Sequence, residues 1–450
     1  MATMFTPTKL SHSASAPPEQ PRLLGVDRAD ALLLDAGMKQ TLSVTRSLGR
    51  AGLAVALAEC RSGLQDAPVP PAFWSRWARS TAMLPDYAAD ADGYAAGVFE
   101  LVKACPTVMV VPGSDQSVES IRPWRARIER YAKVAMPAEA GLALATDKGE
   151  TIRLATSLGI ATPRTVHVES EDELPAALAE LGYPAVVKPT TSWQRAIGGL
   201  RMLSTDVLDL DEARQAARAL WSRGGRVLLQ QWAGGKREAV CLFRANGKVV
   251  GEFALAYLRT TPMLGGASVL RESIPMPTDL RGTAVRLVEA MDLDGYSEVE
   301  FRRHRDGRAL LMEVNPRLSG SLELAVRSGV NFPLMMWNWA SGDDLPGPTG
   351  YRSGVRLRWL TGEGRWLVET FRRPGRPDSV RPARAVAAVA TEFFRRDAYD
   401  FVDFRDLRPA LGELIRVAKR LRVKASGAAA EQGATPPPRQ KSARNDQERA

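Results

Sequence analysis

Residues 298–317 read EVEFRRHRDGRALLMEVNPR, and this stretch predicts two β-strands joined by a tight turn. Residues 299–302 and 309–315 have the apolar and β-branched content of strands. Asp306-Gly307 between them is typical of a two-residue hairpin turn, because both residues tolerate positive φ. The stretch therefore predicts an antiparallel hairpin with a defined register.

That register brings two acidic side chains together on one face of a sheet. Glu300 faces Glu313, and Glu298 faces Asn315. Two carboxylates about 5 Å apart repel each other unless a positive charge lies between them. A divalent cation supplies that charge, and all-oxygen ligands favour Mg²⁺ or Mn²⁺ over Zn²⁺. The alternative is a solvated acidic face, and a one-residue bulge would shift the register.

Composition narrows the class of protein. The 450 residues are 45% hydrophobic, which is enough for a large core and about two to four domains. Cys60, Cys105 and Cys241 are far apart, which excludes a disulfide framework and a cysteine-rich zinc site. We find no signal peptide and no apolar run long enough to span a membrane. These features predict a cytoplasmic protein.

The charge balance gives little support to nucleic-acid binding. The chain has 61 Lys and Arg against 51 Asp and Glu, and much of the excess lies in 372–384 and 416–424. We find no DNA- or RNA-binding motif, and an enzyme that handles phosphates and carboxylates accounts for such an excess equally well. Histidine-based catalysis is not expected, because only His12, His167 and His304 occur.

The first half of the chain alternates strand and helix patterns. Apolar strand segments at 31–35, 53–57 and 108–112, with a helix over about 39–48, predict an α/β, Rossmann-like parallel sheet within residues 25–145. No GxGxxG motif follows the first strand, so we do not expect dinucleotide binding there. A ligand at the carboxyl ends of these strands, near Gly37 and Asp115, fits this topology. Residues 1–24 and 426–450 read as disordered tails.

A second block begins near Thr146. A helix starts at Asp147-Lys148, and a buried strand over 183–189 carries Lys188 near its end. Lys188 is followed by Thr190-Thr191-Ser192, and a lysine beside a hydroxyl-containing loop is a common way to bind phosphates. A surface lysine is the simpler alternative.

Taken in order, these motifs closely resemble those of the ATP-grasp superfamily over residues 29–345. The motifs are Asp147-Lys148 at a helix start, VVKP at 186–189, LLQQW at 228–232, VEF at 299–301 and MEVNPR at 312–317. The last motif is similar to the branch near biotin carboxylase and carbamoyl-phosphate synthase, and within it to predicted carboxylate–amine ligases. The resemblance implies a Rossmann-like pre-ATP-grasp domain over 25–145 and an ATP-grasp domain over 146–345.

The resemblance also implies roles for individual residues. Lys148 and Lys188 are expected to contact ATP phosphates, while Arg317 is expected to stabilise an acylphosphate intermediate. Mg²⁺ or Mn²⁺ would be held by Glu300, Glu313 and Asn315. The adenine end would be lined by Gln230, Gln231, Trp232 and Ala233, with Glu238 at the ribose or base. Gln231 stands where many members have glutamate, and Trp232 suits a core aromatic as well as adenine stacking.

Arg271 is a further cation that we expect near the substrate. Its planar guanidinium suits bidentate capture of a carboxylate or phosphoryl group. A salt bridge to a neighbouring carboxylate is the alternative. The loop 190–199 lacks the dense glycine run of many relatives, and its closure over a triphosphate stays open.

The reaction that the resemblance implies is an ATP-dependent, ADP-forming ligation. A small-molecule carboxylate would be activated as an acylphosphate and joined to an amine. Carboxylation or kinase-like phosphoryl transfer is the main enzymatic alternative, and an ATP-binding scaffold without turnover is the alternative of another class. The sequence names neither substrate, and it leaves a homodimer open.

Residues 346–425 form a C-terminal extension that we expect to be mostly helical. Within 411–424, residues Leu411, Leu414, Ile415, Ala418 and Leu421 share one helix face opposite Arg and Lys. We expect this apolar stripe to pack on its own domain. Peripheral contact with an anionic membrane, or with a partner, is the alternative.

Overall fold

The N-terminal part of the chain forms the expected parallel sheet. We analysed a computed structural model that describes residues 28–60, 69–193, 202–264, 266–345 and 347–433. The sheet order is β3-β2-β1-β4-β5, and alternate residues of the inner strands pack into separate cores on its two faces. Its strands are β1 Ala31–Leu33, β2 Val55–Cys60, β3 Ala78–Leu84, β4 Met109–Val111 and β5 Lys133–Val134, and the helices are α1 Lys39–Arg50, α2 Ala91–Ala104, α3 Asp115–Ile121, α4 Arg125–Ile128 and α5 Glu139–Thr146.

A smaller antiparallel sheet follows, in the order β6-β9-β7-β8. Its strands are β6 Thr165–Val168, β7 Ala185–Pro189, β8 Thr205–Val207 and β9 Val227–Gln231, and the helices are α6 Lys148–Ser157, α7 Leu174–Leu181 and α8 Leu210–Trp221. Val187 and Leu229 point into the core with α7 and α8. Because side chains alternate along a strand, Lys188 and Gln230 lie on the opposite face.

The largest sheet carries the hairpin of residues 298–317. Its order is β14-β13-β10-β11-β12-β15-β16. Asn246-Gly247 joins β10 to β11 with positive φ at both residues, as predicted for a tight hairpin turn. Its strands are β10 Lys236–Ala245, β11 Lys248–Thr261, β12 Ala267–Ser273, β13 Gly295–Arg303 and β14 Ala309–Asn315, and the helices are α9 Thr278–Ala290, α10 Leu322–Ser328 and α11 Phe332–Ser341.

The predicted pairing of the acidic residues is confirmed, although the predicted turn is wrong. The loop between β13 and β14 holds three residues, Arg305 to Gly307, because the His304 N–H donates to the carbonyl oxygen of Arg308 at 2.8 Å. This longer loop alone would shift the register by one residue. An irregularity at Met312 shifts it back, so Glu300 faces Glu313 and Glu298 faces Asn315.

The C-terminal extension adds two strands to the large sheet and three helices around it. Strand β15, Arg356–Arg358, pairs with β12, and β16, Ala398–Tyr399, pairs with β15. The helices are α12 Leu360–Arg372, α13 Pro382–Phe393 and α14 Arg408–Gly433. Helix α14 therefore runs into the predicted tail 426–450, whose Ala-rich start favours helix. Residues 434–450 and the predicted tail 1–24 lie outside the described residues.

Helix α14 buries a different face from the apolar one that we expected to pack on the domain. Its buried side consists of Pro409, Gly412 and Glu413, while Leu411 and Leu414 are exposed. The reason is close packing on Trp74, because a Cβ at Gly412 would lie 2.9 Å from the indole ring. The prediction that the apolar stripe packs on its own domain is therefore wrong. In the part of the chain that the structure describes, no helix is both long and apolar enough to cross a membrane.

Candidate active site

One face of the large sheet gathers the predicted metal ligands. Glu300 on β13 and Glu313 and Asn315 on β14 share this face. The Glu300 Oε2 accepts a hydrogen bond from Arg237 Nη2 at 3.0 Å, and its Oε1 accepts one from Asn315 Nδ2 at 3.2 Å. The Asn315 Oδ1 in turn accepts from Arg317 Nη2 at 3.4 Å. Three of the predicted residues, Glu300, Asn315 and Arg317, thus form one connected polar group with Arg237.

The two opposed glutamates experience opposite electrostatic environments. Burial and the charge of Glu313 raise the pKa of Glu300 to about 7. Burial also disfavours the charged form of Glu313, but Lys148, Lys188 and other cations outweigh it and lower the pKa of Glu313 below its ordinary value. Lysines thus match the charge of Glu313, whereas the single guanidinium of Arg237 does not offset the burial of Glu300 and its repulsion by Glu313.

The two predicted lysines approach this pair from the smaller sheet and helix α6. Asp147 caps α6 by accepting from the backbone N–H groups of Gly149 and Glu150, which fixes Lys148 at the first helical position. The Lys148 Nζ donates to Ser192 Oγ at 2.9 Å and lies 3.9 Å from Glu313 Oε2. Burial, only partly offset by Glu313, lowers the pKa of Lys188 to about 8.

A cavity of about 360 Å³ opens beside these groups. Side chains from four parts of the chain line it: α3 with the residue after it, the end of α5 with α6, the loop after β7, and the end of β14 with the two residues after it. The charged lining residues are Asp115, Glu119, Arg122, Lys148, Glu313 and Arg317. A cavity with several fixed charges of both signs suits a small, highly charged ligand better than an apolar one.

Arg317 connects the cavity to the N-terminal sheet. Its Nε and Nη2 donate to the two carboxylate oxygens of Asp115 at 2.5 and 3.1 Å. Asp115 is the first residue of α3, directly after the carboxyl end of β4. The sequence prediction of a ligand near Asp115, at the carboxyl edge of the parallel sheet, thus agrees with the position of the cavity.

The donor set fits a hard divalent cation. Glu300 is a buried carboxylate whose charge is disfavoured, and Glu313 lies directly opposite it. Within the described ranges, no three His, Cys, Asp or Glu side chains form a metal-binding group. A metal ion here would therefore need the amide oxygen of Asn315 as well as the two glutamates. Such an all-oxygen set is the kind that Mg²⁺ and Mn²⁺ prefer.

The predicted adenine-pocket residues lie at the end of β9. Gln230 shares a sheet face with Lys188, its Nε2 donates to Thr165 Oγ1 at 2.9 Å, and its buried Oε1 has no partner among the described residues. Gln231 accepts from Arg164 Nε at 3.3 Å. The Trp232 ring lies 5.6 Å from the Arg302 guanidinium, and Ala233 is buried. None of these four residues lines the cavity of about 360 Å³, and Trp232 reaches the large sheet through its contact with Arg302.

Glu238 does not lie on the sheet face that carries Glu300, where its predicted contact with the nucleotide would require it. Strand β10 pairs Ala239 with Glu300 and Glu238 with Phe301, so Glu238 points to the opposite face of the large sheet. There it accepts a hydrogen bond from Arg303 Nε at 2.6 Å. The predicted nucleotide contact of Glu238 is therefore contradicted, because the strand alternation is offset by one residue from the one assumed.

Arg271 forms the salt bridge that the sequence left as an alternative. It lies on the same face as Glu300 but is fully buried, and it contacts both carboxylate oxygens of Asp400. Its Nη2 also donates to the carbonyl oxygen of Gly320 at 3.0 Å. The predicted substrate contact of Arg271 is contradicted, since its guanidinium is occupied by a carboxylate from the C-terminal extension.

Sequence reasoning missed Arg237 and Asp400. Arg237 stands on the same face as Glu300 only because β10 pairs with β13 in this register, and nothing local in the sequence fixes that pairing. Asp400 lies 129 residues after Arg271 and belongs to a segment that follows the resemblance. The positions of Arg237 and Asp400 therefore depend on tertiary structure, which the local sequence does not reveal.

Comparison with known proteins identifies the fold. Residues 251–363 match a family described as ATP-grasp in the biosynthetic pathway with Ter operon. The D-alanine–D-alanine ligase of Stutzerimonas stutzeri is 31% identical over 182 residues, which is 38% of this chain and 55% of that protein. The chain thus spans only about half the length of such curated relatives.

Solved structures extend the similarity over most of the chain. Biotin carboxylase from Campylobacter jejuni superposes with a TM-score of 0.57 at 16% identity, covering 73% of this chain and 74% of that one. An L-amino acid ligase from Bacillus licheniformis gives 0.52 at 17% identity, covering 70% and 75%. At this identity the structures establish the fold alone. Together with the family match to residues 251–363, they show that the chain has the ATP-grasp fold.

Proposed function

We propose that this protein is a Mg²⁺-dependent, ADP-forming ligase that activates a carboxylate as an acylphosphate and joins it to an amine. The observation that carries the proposal is the opposed pair Glu300 and Glu313, with Lys148, Lys188 and Arg317 near enough that all three cations lower the pKa of Glu313. We assign the nucleotide site to residues 146–345, behind a pre-ATP-grasp domain over 25–145 and before the extension 346–425.

Each charged group has a distinct task in this reaction. Lys148 and Lys188 bind the phosphates of ATP as point charges on flexible stems. Glu300, Glu313 and Asn315 hold Mg²⁺, which when bound neutralises charge at the transferred phosphoryl group. Arg317 stabilises the negative charge of the acylphosphate, and it exchanges part of its contact with Asp115 to do so. The protein itself contributes positioning and electrostatics rather than a covalent intermediate.

The base of the nucleotide would occupy the predicted adenine pocket at Gln230 to Ala233. The Gln230 Oε1 is a buried acceptor to which no described residue donates, and an adenine amino group would satisfy it. Trp232 already contacts the Arg302 guanidinium, so its ring is held at the rim of this pocket.

The choice of substrates is supported by the names of relatives. One relative is a D-alanine–D-alanine ligase and one structural neighbour is an L-amino acid ligase, and both names describe joining of amino acids. We extend only the chemical class to this chain, namely a small-molecule carboxylate and a small-molecule amine.

The test is release of ADP and phosphate with a panel of carboxylates, with and without amines. We expect turnover that requires Mg²⁺, one carboxylate and one amine, and that is lost in Glu313→Ala. Glu238→Ala is a matched control, because it removes a glutamate from the opposite face of the same sheet. Release that needs bicarbonate instead, or a stable phosphorylated product, would replace ligation by carboxylation or phosphoryl transfer. If ATP binds but no combination of carboxylate and amine stimulates turnover, the protein is an ATP-binding scaffold rather than a ligase.

A further inference from the structure

The C-terminal extension displays exposed phenylalanines beside arginines. Among the residues that the structure describes, the exposed phenylalanines are Phe371, Phe393, Phe394 and Phe404. Phe394 is 88% exposed and Phe404 is 92% exposed. In sequence they read as Phe371-Arg372, Phe393-Phe394-Arg395-Arg396 and Phe404-Arg405, and these arginines are exposed as well. Exposed apolar side chains mark a binding surface where they form a contiguous patch, and the rings of Phe393 and Phe394 contact each other with centroids 6.3 Å apart.

The extension also carries most of the net charge of the chain. Residues 346–425 contain 18 Lys and Arg against 9 Asp and Glu, a formal charge of +9 out of +10 for the whole protein. Its acidic side chains are largely used in internal ion pairs: Glu363, Asp400, Asp406 and Glu413 are all buried. The outer surface of the extension is therefore dominated by positive charge.

Helix α14 supplies the apolar part of this surface. Leu411 is 53% exposed, Leu414 is 62% exposed, and Ile415 is also exposed on the side away from Trp74. Leu407, just before the helix, is exposed too. The neighbouring exposed charges are Arg405, Arg408 and Lys419. The result is an aliphatic stripe with a basic rim on the outside of a surface helix.

We propose that the outer surface of the extension binds an anionic lipid bilayer, with the Leu411–Leu414 stripe of α14 inserted at the interface. A bilayer surface accepts an outward-facing helix without needing a groove, and the stems of Arg and Lys bury while their charged ends remain at the headgroups. The positive charge of the extension complements anionic headgroups. This peripheral contact is independent of the proposed ligase chemistry.

Other occupants fit this surface less well. A second copy of the chain would bring two extensions of charge +9 against each other. A single-stranded nucleic acid could stack its bases on the exposed phenylalanines, but it would leave the aliphatic side chains of Leu411, Leu414 and Ile415 in water. An acidic protein would satisfy the charge, yet it would need a groove of its own to cover the aliphatic stripe.

The test is co-flotation of the full-length protein with vesicles. We expect binding to vesicles of phosphatidylcholine and phosphatidylglycerol in equal parts, no binding to phosphatidylcholine alone, and weaker binding in high salt. The double variant Leu411→Asp with Leu414→Asp should bind at least about tenfold more weakly, because two leucines lose their burial. The variant Arg395→Gln with Arg396→Gln should lose about fivefold for each charge removed.

The matched control is Leu203→Asp with Leu208→Asp, which alters two exposed leucines outside the extension and should leave vesicle binding unchanged. Equal binding to both vesicle types, or unchanged binding of the Leu411 and Leu414 variant, would overturn the proposal. So would vesicle-free binding to polyglutamate or to single-stranded DNA that depends on the same leucines. Self-association through these leucines, detected by light scattering without vesicle binding, would overturn it equally.

Discussion

Two groups of buried charges in this molecule differ in how well they are matched. Arg46 is fully buried, and it donates to Asp406 Oδ2 and to the carbonyl oxygens of Asp400, Phe401 and Asp406. Asp406 is satisfied as well, since it also accepts from Ser75 Oγ and the Arg76 N–H. This clamp fastens the C-terminal extension to α1 and leaves no charge without a partner.

The face that carries Glu300 and Glu313 is built differently. Two carboxylates oppose each other, the pKa of Glu300 is raised by burial and by Glu313, and burial lowers the pKa of Lys188. Such an arrangement costs stability in the absence of a ligand that brings positive and negative charge together. We infer that matched buried charges hold this fold together, whereas mismatched ones mark the place where a charged ligand binds.

The largest expected effect is the loss of stability when the matched pair of Arg46 and Asp406 is broken. Asp406→Ala leaves the buried Arg46 without its carboxylate, which we expect to lower the free energy of unfolding by about 3 to 5 kcal/mol. Thermal unfolding followed by circular dichroism would show the loss. The exposed partner pair Arg308 and Asp306 provides the control, because Asp306→Ala should cost less than about 1 kcal/mol. A clamp variant as stable as this control would contradict our interpretation of the buried pair.

Neutralising Glu300 in the mismatched group should reduce activity strongly without reducing the stability of the fold. Glu300→Gln removes a proposed metal ligand, so we expect turnover to fall about 10²- to 10³-fold, comparable to the loss of one oxyanion donor. The folded state should keep its stability or gain some, because the substitution removes the repulsion between two opposed carboxylates. Parallel measurement of ADP release and melting temperature tests both parts. Lost stability with unchanged turnover would assign Glu300 to structure.

A smaller effect is expected from the protonation of Lys188. Its pKa of about 8 lies below the ordinary lysine value, and only the charged form attracts phosphate, so Mg-ATP binding should weaken about tenfold for each pH unit above 8. The free energy of unfolding changes in the opposite direction. Between pH 8 and about 10.4 this lysine is protonated in the unfolded chain but not in the folded protein, so the free energy of unfolding increases as the pH rises.

Calorimetric titration at several pH values measures this trend. Lys188→Arg is the control, because its guanidinium stays charged throughout the range and its binding should not fall. A wild-type affinity that is constant from pH 7 to pH 9 would exclude Lys188 from phosphate binding.

The sequence predicted the parallel sheet, the order of the ATP-grasp motifs and the pairing of Glu300 with Glu313. It predicted this pairing through a turn that is one residue too short, and the irregularity at Met312 compensates for the error. Local patterns determine which segments are strands, but the loop length and the bulge depend on packing against β10. Glu238 and Arg271 were misassigned for the same reason, since their surroundings are set by strands and ion-pair partners distant in sequence.

The smallest expected effect concerns a link between the two antiparallel sheets. Arg373 and Arg376 in the extension form ion pairs with Asp206 and Glu212 of the smaller-sheet unit, and Asp378 pairs with Arg302 on the large sheet. The segment 373–378 thus links the smaller-sheet unit to the large sheet, on which the proposed nucleotide site lies. Because Arg376 and Glu212 are partly exposed, their pair contributes only about 0.5 to 1 kcal/mol and is screened by salt.

Arg376→Gln should therefore change the ATP affinity by no more than about fivefold, and the change should shrink in high salt because screening already weakens the pair in the wild type. Arg218→Gln is the matched control: it removes a similar bidentate pair, with Glu171, that stays within the smaller-sheet unit. Comparable loss of stability but no effect on ATP affinity is expected there. If both variants alter the affinity equally, the segment 373–378 does not set the relation between the smaller-sheet unit and the large sheet. A change in ATP affinity that is confined to Arg376→Gln would instead show that the extension helps to form the nucleotide site, even though Glu300 and Glu313 both lie outside the extension.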